Sequence, residues 1–363
     1  MDRFVSIQIL RAVAALSVLL SHVKLPLYEV YGWGGLGPIF DSLLGAIGVD
    51  IFFVVSGFVI ALTADKKNHT PKAFALNRFI RVVPIYYVYT IPFAIYFILN
   101  GNISTASTFN STLFLPLLDI GEFSNPFHSY GWTLSFEVWF YVMFTFILFF
   151  AGRSAFTVMP AVILALMPLS YFSAQQDWFF LSFAFHPMTG EFALGCLAYL
   201  IYKSGWLQPR LGAIFTLSAI ILIFTVSLAY EDLAWHEQIL SDFQQGLHRF
   251  IYWGLPSFVL LLGLLALEPF LQTAKLKGLC YLGDISYSLY LVQPFIFKFI
   301  EIVAPKISMP SIYWALLAIP GGIAAGAASY EIVEKPLMRY MRARMLYPAT
   351  KSKHPERPTC TPT

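Results

Sequence analysis

The stretch RAVAALSVLLSH, residues 11–22, places an arginine and a histidine at the two ends of the first apolar segment of the chain. Because this segment lies so close to the N-terminus, a cleaved signal peptide has to be considered first. The preceding Met1-Asp2-Arg3 forms a weak n-region, Arg11 interrupts the apolar run, and no clear A-x-A cleavage site ends that run before Lys24. We therefore predict a first transmembrane helix that is retained.

The composition extends this interpretation to nearly the whole chain. Of the 363 residues, 58% are hydrophobic and only 12% are charged, whereas soluble domains carry about a quarter charged residues. Mean hydropathy is +0.68. The sequence predicts an all-α polytopic membrane protein with membrane lipids around it. The net charge of +3 gives no support to a nucleic-acid partner, and three widely spaced cysteines predict free thiols and no metal site.

Apolar runs of about 20 residues mark the candidate membrane spans. We predict about ten, at residues 5–23, 43–63, 82–99, 128–150, 156–174, 179–201, 211–229, 250–267, 280–303 and 311–333. With the N-terminus inside, 18 Lys and Arg residues fall on inner segments, and only Lys24, Arg249, Lys298 and Lys306 fall on outer ones. This asymmetry predicts that both termini are cytoplasmic.

Two regions differ from the rest. Residues 101–127 are polar and turn-rich, with a short apolar piece at 113–118 that we expect to re-enter the membrane or lie at its surface. Residues 341–363 are basic and contain prolines, which predicts a disordered cytoplasmic tail after a transmembrane domain at 1–340.

Arg11 and His22 are the first ionisable residues that need a reason to be in a membrane, since such groups cost about 2.5–3.5 kcal/mol inside a span. Eleven residues of α-helix turn through about 1100°, which is about 20° past three full turns, and rise about 16 Å. The two side chains therefore share one helix face, with Arg11 toward the cytosol and His22 toward the outside. The alternative is that Arg11 snorkels and His22 caps an interfacial turn.

Asp50 begins the second span at a depth similar to that of His22. A carboxylate beside an imidazole fixes its tautomer and raises its basicity, as general-base chemistry requires. Gly48 and Gly57 would let this helix pack closely against its neighbours. In the alternative interpretation, Asp50 caps the helix and Ser56-Gly57 is a packing site.

Arg78 and Arg81 lie three residues apart in NRFIRVVPIYY, so they are neighbours on a helical turn. Paired arginines suit phosphate or pyrophosphate recognition, although they also suit anchoring at the inner membrane face. Pro84 predicts a helix start or a kink at that face.

Further polar residues interrupt later spans. Glu137 lies about two turns below His128, with Trp132 between them. The other interruptions are His186, Glu191, Asp284, Tyr287 and Tyr290, for which packing and hydrogen-bonding roles are favoured. Glu334-Lys335-Pro336 is predicted to end the last span at the inner interface.

Taken together, these stretches resemble the acyltransferase-3 family of integral membrane proteins, particularly stand-alone exopolysaccharide O-acetyltransferases. The resemblance is carried, in family order, by Arg11-x10-His22, GVDIFFVVSGFVI, RFIRVVPIYY, GWTLSFEVWFY, LGDISYSLYLVQP and the closing EKP. It covers the chain to about residue 340. Gln293 departs from the pattern, because many members have a histidine there, and this weakens any catalytic role for that helix.

The resemblance implies a multi-pass enzyme of the bacterial inner (plasma) membrane. It would move an acetyl or other short acyl group from cytosolic acyl-CoA to a hydroxyl of an extracytoplasmic polysaccharide or lipid-linked sugar. Acetyl-CoA would be a co-substrate, with no tightly bound cofactor. The donor-binding residues would be Arg11, Ser56, Arg78 and Arg81, with Arg11 orienting the donor or stabilising charge.

On this hypothesis, His22 held by Asp50 either deprotonates the acceptor hydroxyl or is transiently acylated. Trp132 and Glu137 would shape the acceptor side, the tryptophan by stacking on a sugar ring, and Tyr287 and Tyr290 would support the site. The alternative function is a proton-coupled secondary transporter, since buried ionisable residues also form proton relays. The two halves of the chain show no repeat, which disfavours it.

Overall fold

The computed structural model describes residues 4–31, 45, 47–66, 70–116, 118–119, 122–176, 178–229, 243–303, 306–307 and 311–346. The α-helices are α1 (Val5–Tyr31), α2 (Ile47–Ala64), α3 (Pro71–Leu99), α4 (Thr105–Leu113), α5 (Trp132–Ala151), α6 (Ala155–Ala174), α7 (Phe179–Ala184), α8 (Thr189–Ser204), α9 (Pro209–Ala229), α10 (Phe243–Arg249), α11 (Leu255–Ala266), α12 (Glu268–Thr273), α13 (Lys277–Val303), α14 (Ser311–Ser329) and α15 (Lys335–Met345). Single π-helical turns at Phe250–Gly254 and Tyr330–Glu334 join α10 to α11 and α14 to α15. Short 3-10 turns at Ser129–Gly131 and Gly152–Ser154 precede α5 and α6.

The architecture is the predicted all-α, polytopic one. Seven helical stretches of the described chain are long and apolar enough to cross a membrane: Val5–His22, Ile47–Ala64, Pro71–Leu99, Ser129–Ser173, Pro209–Ala229, Phe243–Ala266 and Leu316–Met345. The 45-residue stretch contains both α5 and α6. The count of ten spans and the cytoplasmic termini stay predictions.

Several predicted boundaries are wrong, and proline explains most of them. The span predicted at 179–201 is two helices, because Pro187 has no N–H to donate and disfavours helical backbone at His186. The span predicted from 82 begins at Pro71, where the Thr70 hydroxyl accepts the N–H of Ala73. Pro84 therefore lies inside α3 and does not begin it.

The ends of two other predicted segments also differ. Helical structure continues through Pro336 to Met345, so Glu334-Lys335-Pro336 does not end the last helix. Proline is tolerated there because it occupies the first turn of α15, after the π-helical turn. The predicted tail starts within α15, and residues 347–363 lie outside the described chain.

The polar segment at 101–127 holds α4 and a two-stranded antiparallel ribbon. Its strands, Leu118–Asp119 and Glu122–Phe123, pair Leu118 with Phe123. α4 ends at Leu113 with Phe114 in the left-handed region, φ 58°, and the re-entrant or surface position expected for the apolar piece at 113–118 stays a prediction.

The first helix is anchored at its N-terminal end by a distant carboxylate. Glu268, at the start of α12, accepts the backbone N–H groups of Val5 and Ser6, each at 2.8 Å. A carboxylate on the unpaired N–H groups of a first turn satisfies them and favours the helix dipole. α1 then packs along α13 and beside α2, which fixes the axial position of Arg11 and His22.

The close packing predicted at Gly57 is confirmed, between α2 and α8. A Cβ built on Gly57 would lie 2.1 Å from the carbonyl oxygen of Phe192, and one on Gly195 would lie 2.1 Å from that of Val54. The two backbones therefore touch, as small residues permit in membrane helices.

We expect Gly195→Ala to destabilise the detergent-solubilised protein by about 1–3 kcal/mol, the usual cost of overpacking. Gly321→Ala is the matched control, since nothing lies within 4 Å of a Cβ built there and alanine is the better helix former. Thermal unfolding of the two variants measures the difference. Equal melting temperatures would contradict the close contact.

A charged cluster ties α2 to α8 at the end of α2 that is predicted to be cytoplasmic. The Tyr199 hydroxyl and the Lys203 ammonium each lie 2.7 Å from Asp65 Oδ2, and Arg153 Nη2 lies 3.1 Å from Oδ1. Burial disfavours the charged carboxylate, but the hydrogen bonds from Lys203, Tyr199 and Arg153 outweigh it and lower the pKa of Asp65 below its ordinary value.

The predicted orientation can be tested with single cysteines in a background that lacks Cys196, Cys280 and Cys360. Asn102 and Lys66 are both exposed, and they lie on opposite sides of the membrane if the N-terminus is inside. We expect a membrane-impermeant maleimide to label Asn102→Cys in right-side-out vesicles and Lys66→Cys only in inverted ones. Labelling of both from one side would refute the assignment.

Candidate active site

A cavity of about 160 Å³ lies among α1, α2, α3, α5 and α13. Seven of the ten residues predicted for the site line it: Arg11, Ser56, Arg78, Arg81, Glu137, Tyr287 and Tyr290. His22, Asp50 and Trp132 are not among its lining residues. Its volume equals that of about five water molecules, so it fits a group of a few heavy atoms.

Contacts with Glu334 and Tyr287 hold the Arg81 side chain in position in the cavity wall. It donates a hydrogen bond to the buried carboxylate of Glu334, whose other oxygen accepts from Ser288 Oγ at 2.6 Å. The Arg81 guanidinium also lies 5.7 Å from the ring centre of Tyr287. Its charge is therefore compensated within the protein.

Arg78 and Arg11 are held differently. Arg78 donates to a neutral oxygen, Thr63 Oγ1 at 3.3 Å, and lies 5.7 Å from the ring centre of Tyr141. Within the described ranges, neither Arg78 nor Arg11 has a carboxylate within 4.0 Å. Two cations without a direct counter-ion face the same cavity, and this makes it suited to an anionic group.

Glu137 is held by two hydroxyl donors. Its Oε1 accepts from Ser56 Oγ at 3.1 Å and from the Tyr141 hydroxyl. The prediction assigned Ser56 to the donor side and Glu137 to the acceptor side, but the structure joins them directly. Glu137 therefore lies with the arginines, and its negative charge balances part of theirs.

His22 lies near the cavity and is separated from it by the side chains of Tyr130 and Tyr290. The ring centres of His22 and Tyr130 are 4.5 Å apart, and those of Tyr130 and Tyr290 are 5.5 Å apart. The Tyr290 hydroxyl donates to the Tyr130 carbonyl at 2.9 Å. His22 is thus connected to the cavity wall through two aromatic side chains.

The imidazole of His22 is oriented by its own helix. Nδ1 lies 2.8 Å from the carbonyl oxygen of Val18 and 3.2 Å from Ser21 Oγ. A carbonyl only accepts, so we assign the proton to Nδ1 and the basic lone pair to Nε2. The sequence led us to expect that Asp50 fixes the tautomer, whereas the structure gives this role to the Val18 carbonyl.

The structure gives Asp50 a different partner from the predicted one. Arg249 donates to it through Nε at 3.0 Å and Nη2 at 3.3 Å, a forked pair in which both residues are buried. Gly48 packs against Ala14 and Val18, so Asp50, two residues further into α2, does not share the level of His22 on α1. The sequence showed neither this offset nor the neighbour that Asp50 faces, since position within a span does not fix which neighbour a side chain meets.

Trp132 also has a partner that the sequence did not indicate. The Arg249 guanidinium carbon lies 5.9 Å from its ring centre, a distance typical of a cation–π contact. Arg249 was counted as an outer-loop charge, but it is only 4% exposed. Its position beside the apolar run FIYWG was the available signal that it is not a loop residue.

The two remaining predicted residues, Tyr287 and Tyr290, hydrogen-bond to neighbouring elements. Tyr287 donates to the carbonyl of Val82 on α3 at 2.9 Å, and the hydroxyls of Tyr290 and Thr133 are 2.9 Å apart. They join α13 to α3 and α5, the helices that carry Arg78, Arg81 and Glu137.

Comparisons with known proteins identify the family of the chain. A family model described as an acyltransferase domain, Acyl_transf_3, matches residues 4–331. The chain belongs to this acyltransferase family. It is therefore a membrane acyltransferase, and the transporter alternative has no support.

Two relatives share much of the chain. The exopolysaccharide production protein ExoZ of Rhizobium meliloti is 29% identical over 83% of this chain and 92% of its own length. The peptidoglycan O-acetyltransferase OatA of Listeria monocytogenes is 24% identical over 92% of this chain, which spans 56% of that protein. No solved structure matches.

Proposed function

We propose that this acyltransferase moves an acetyl or other short acyl group from cytosolic acyl-CoA to a hydroxyl of an extracytoplasmic or lipid-linked glycan, in a bacterial inner membrane. The observation that carries the proposal is the cavity lined by Arg11 and Arg78, with His22 eleven residues further along the helix that carries Arg11. The names of the two relatives support a glycan acceptor.

The donor is proposed to enter from the Arg78 end. Phosphates of CoA would meet Arg78, whose charge has only a neutral partner among its described contacts. Arg11 would bind the pantetheine end or stabilise charge near it. The rise of about 16 Å from Arg11 to His22 along α1 is comparable with the reach of an extended pantetheine arm.

The proposed reaction uses Nε2 of His22 as general base. Nε2 takes the proton of the acceptor hydroxyl while the hydroxyl oxygen attacks the thioester carbon. The C–S bond breaks, the thiolate of CoA leaves, and the imidazolium returns the proton to it. The alternative is attack by Nε2 itself, giving an acyl-imidazole that the acceptor hydroxyl then cleaves.

Mass spectrometry of the surface polysaccharide, with and without the gene, tests the function. We expect the mutant polysaccharide to lack one acyl group per modified repeat and the plasmid-borne gene to restore it. Membrane vesicles that contain the protein, supplied with labelled acetyl-CoA and the deacylated glycan, would then show the transfer directly. Unchanged polysaccharide together with inactive vesicles would refute the proposal.

A further inference from the structure

A cluster of buried ionisable side chains lies outside the cavity, at the end of the bundle where α2 begins. It consists of Asp50 on α2, Glu191 on α8 and Arg249 at the end of α10, which are 0%, 0% and 4% exposed. Glu191 lies beside Asp50, and its side chain packs against Gly254. A buried ion pair is costly to form and still more costly to break, so this arrangement calls for an explanation beyond stability.

Arg249 joins three elements at one point. It forms the forked pair with Asp50 on α2 and lies over the ring of Trp132 at the start of α5. The π-helical turn Phe250–Gly254 begins directly after it. Such turns are frequent at functional sites, and this one sets the guanidinium at the junction of α2, α5 and α10.

The neighbours of these residues form the cavity wall. Val49 and Thr133, which adjoin Asp50 and Trp132 in sequence, both line the cavity, and the Thr133 hydroxyl is 2.9 Å from that of Tyr290. Tyr290 in turn bonds to Tyr130, the residue that contacts His22. Arg249 therefore contacts α2 and the start of α5 directly beside residues that form the wall between the cavity and His22.

We propose that Arg249 is a positioning residue for acyl transfer, and that Asp50 acts by holding Arg249 and not by holding His22. This rests on the acyl-CoA-dependent activity proposed above. His22 has its tautomer from Val18, so Asp50 is free for this second role. The Asp50–Arg249 pair locks α2, α5 and α10 in the arrangement that places His22 beside the acyl group.

A double-mutant cycle separates the two roles of Asp50. Asp50→Asn leaves the Arg249 guanidinium without its forked partner, and Arg249→Gln leaves two neighbouring carboxyls without a cation. Each single variant is expected to lower kcat by about 100-fold, the effect of a misplacement of about 1 Å, with the KM for acyl-CoA unchanged. The double variant restores a neutral, hydrogen-bonded amide pair and is expected to recover to within about ten-fold of wild type.

If Asp50 acted on His22 directly, the double variant would stay as inactive as Asp50→Asn. That result in a folded protein overturns the proposal, as does a double variant that fails to fold when either single variant folds. Arg249→Lys is expected to remain impaired, because an ammonium cannot reproduce the fork. Glu331→Gln, which removes an exposed carboxylate paired with Lys335, is the control and keeps full activity.

Thermal unfolding of the same purified variants gives a second measurement that needs no activity. The losses in melting temperature are expected to be non-additive, with the double variant more stable than either single one. If wild-type protein in vesicles transfers no acyl group from acyl-CoA, the proposed function fails, and this thermal cycle still decides whether the pair couples. Additive losses in melting temperature would overturn the proposal that the Asp50–Arg249 pair fixes the arrangement of α2, α5 and α10.

Discussion

Replacing His22 by alanine is expected to lower acyl transfer by about 10²–10⁴-fold, the usual contribution of a general base, while the protein inserts and folds normally. The physical reason is the position of the imidazole. It is half-buried, contacts Tyr130 at 4.5 Å between ring centres, and keeps Nε2 as its basic nitrogen because Nδ1 faces the Val18 carbonyl. Vesicles with labelled acetyl-CoA and deacylated glycan measure the loss.

His248→Ala is the matched control, since His248 is also half-buried but stacks on Tyr252 at 5.8 Å, away from the cavity lining. It is expected to keep near wild-type activity. A His22→Ala protein that still acylates glycan at the wild-type rate would exclude both roles proposed for this residue.

The same variant separates the two mechanisms. If His22 is acylated, wild-type protein incubated with labelled acyl-CoA and no acceptor accumulates a label that His22→Ala lacks. If His22 is only a base, neither protein retains label after denaturation. Either outcome is compatible with the activity loss and assigns its cause.

Many of the ionisable and polar residues that line the cavity could be predicted from the sequence. The hydrogen bonds and ion pairs that these residues form could not. Arg11, Arg78, Glu137, Tyr287 and Tyr290 stand out because ionisable and polar residues are rare in apolar spans. The apolar run also predicted a single helix through Arg11 and His22, and the structure has a continuous helix from Val5 to Tyr31.

The pairings that the sequence did not show join residues far apart in the chain. Asp50 and Arg249 are 199 residues apart, and Arg81 and Glu334 are 253 apart. The spacing of residues along one helix does not determine how a neighbouring helix is rotated about its own axis. Asp50 was therefore matched to His22 by depth alone, and Glu334 was interpreted as a helix end.

The π-helical turns explain why these two partners were missed. Arg249 directly precedes one turn, and Glu334 is the last residue of the other. A π-helical turn shifts the register of the side chains that follow it, so 3.6-residue periodicity does not predict their direction. In both cases the charged residue lies at a junction between helices, where it meets a partner from a third helix.

Arg11→Gln is expected to raise the KM for acyl-CoA by about 10–100-fold, which corresponds to the loss of one or two charge-assisted hydrogen bonds. The same variant is expected to be as stable as wild type or more so. Within the described chain Arg11 has no carboxylate within 4.0 Å, and Arg81 is a like charge nearby. A half-buried cation next to another cation costs free energy when the cavity is empty of an anion.

Arg344→Gln is the control, because Arg344 is exposed and donates to the Tyr340 hydroxyl at 3.1 Å, outside the cavity lining; it is expected to leave KM and kcat unchanged. If Arg11→Gln lowers kcat and leaves KM unchanged, Arg11 stabilises charge that develops during the reaction and does not bind the donor. If it instead lowers the melting temperature by as much as Gly195→Ala does, its role is structural and the donor assignment is wrong. Higher KM together with undiminished stability is the combination expected of a residue kept for its ligand, since a residue kept for packing cannot be removed without loss of stability.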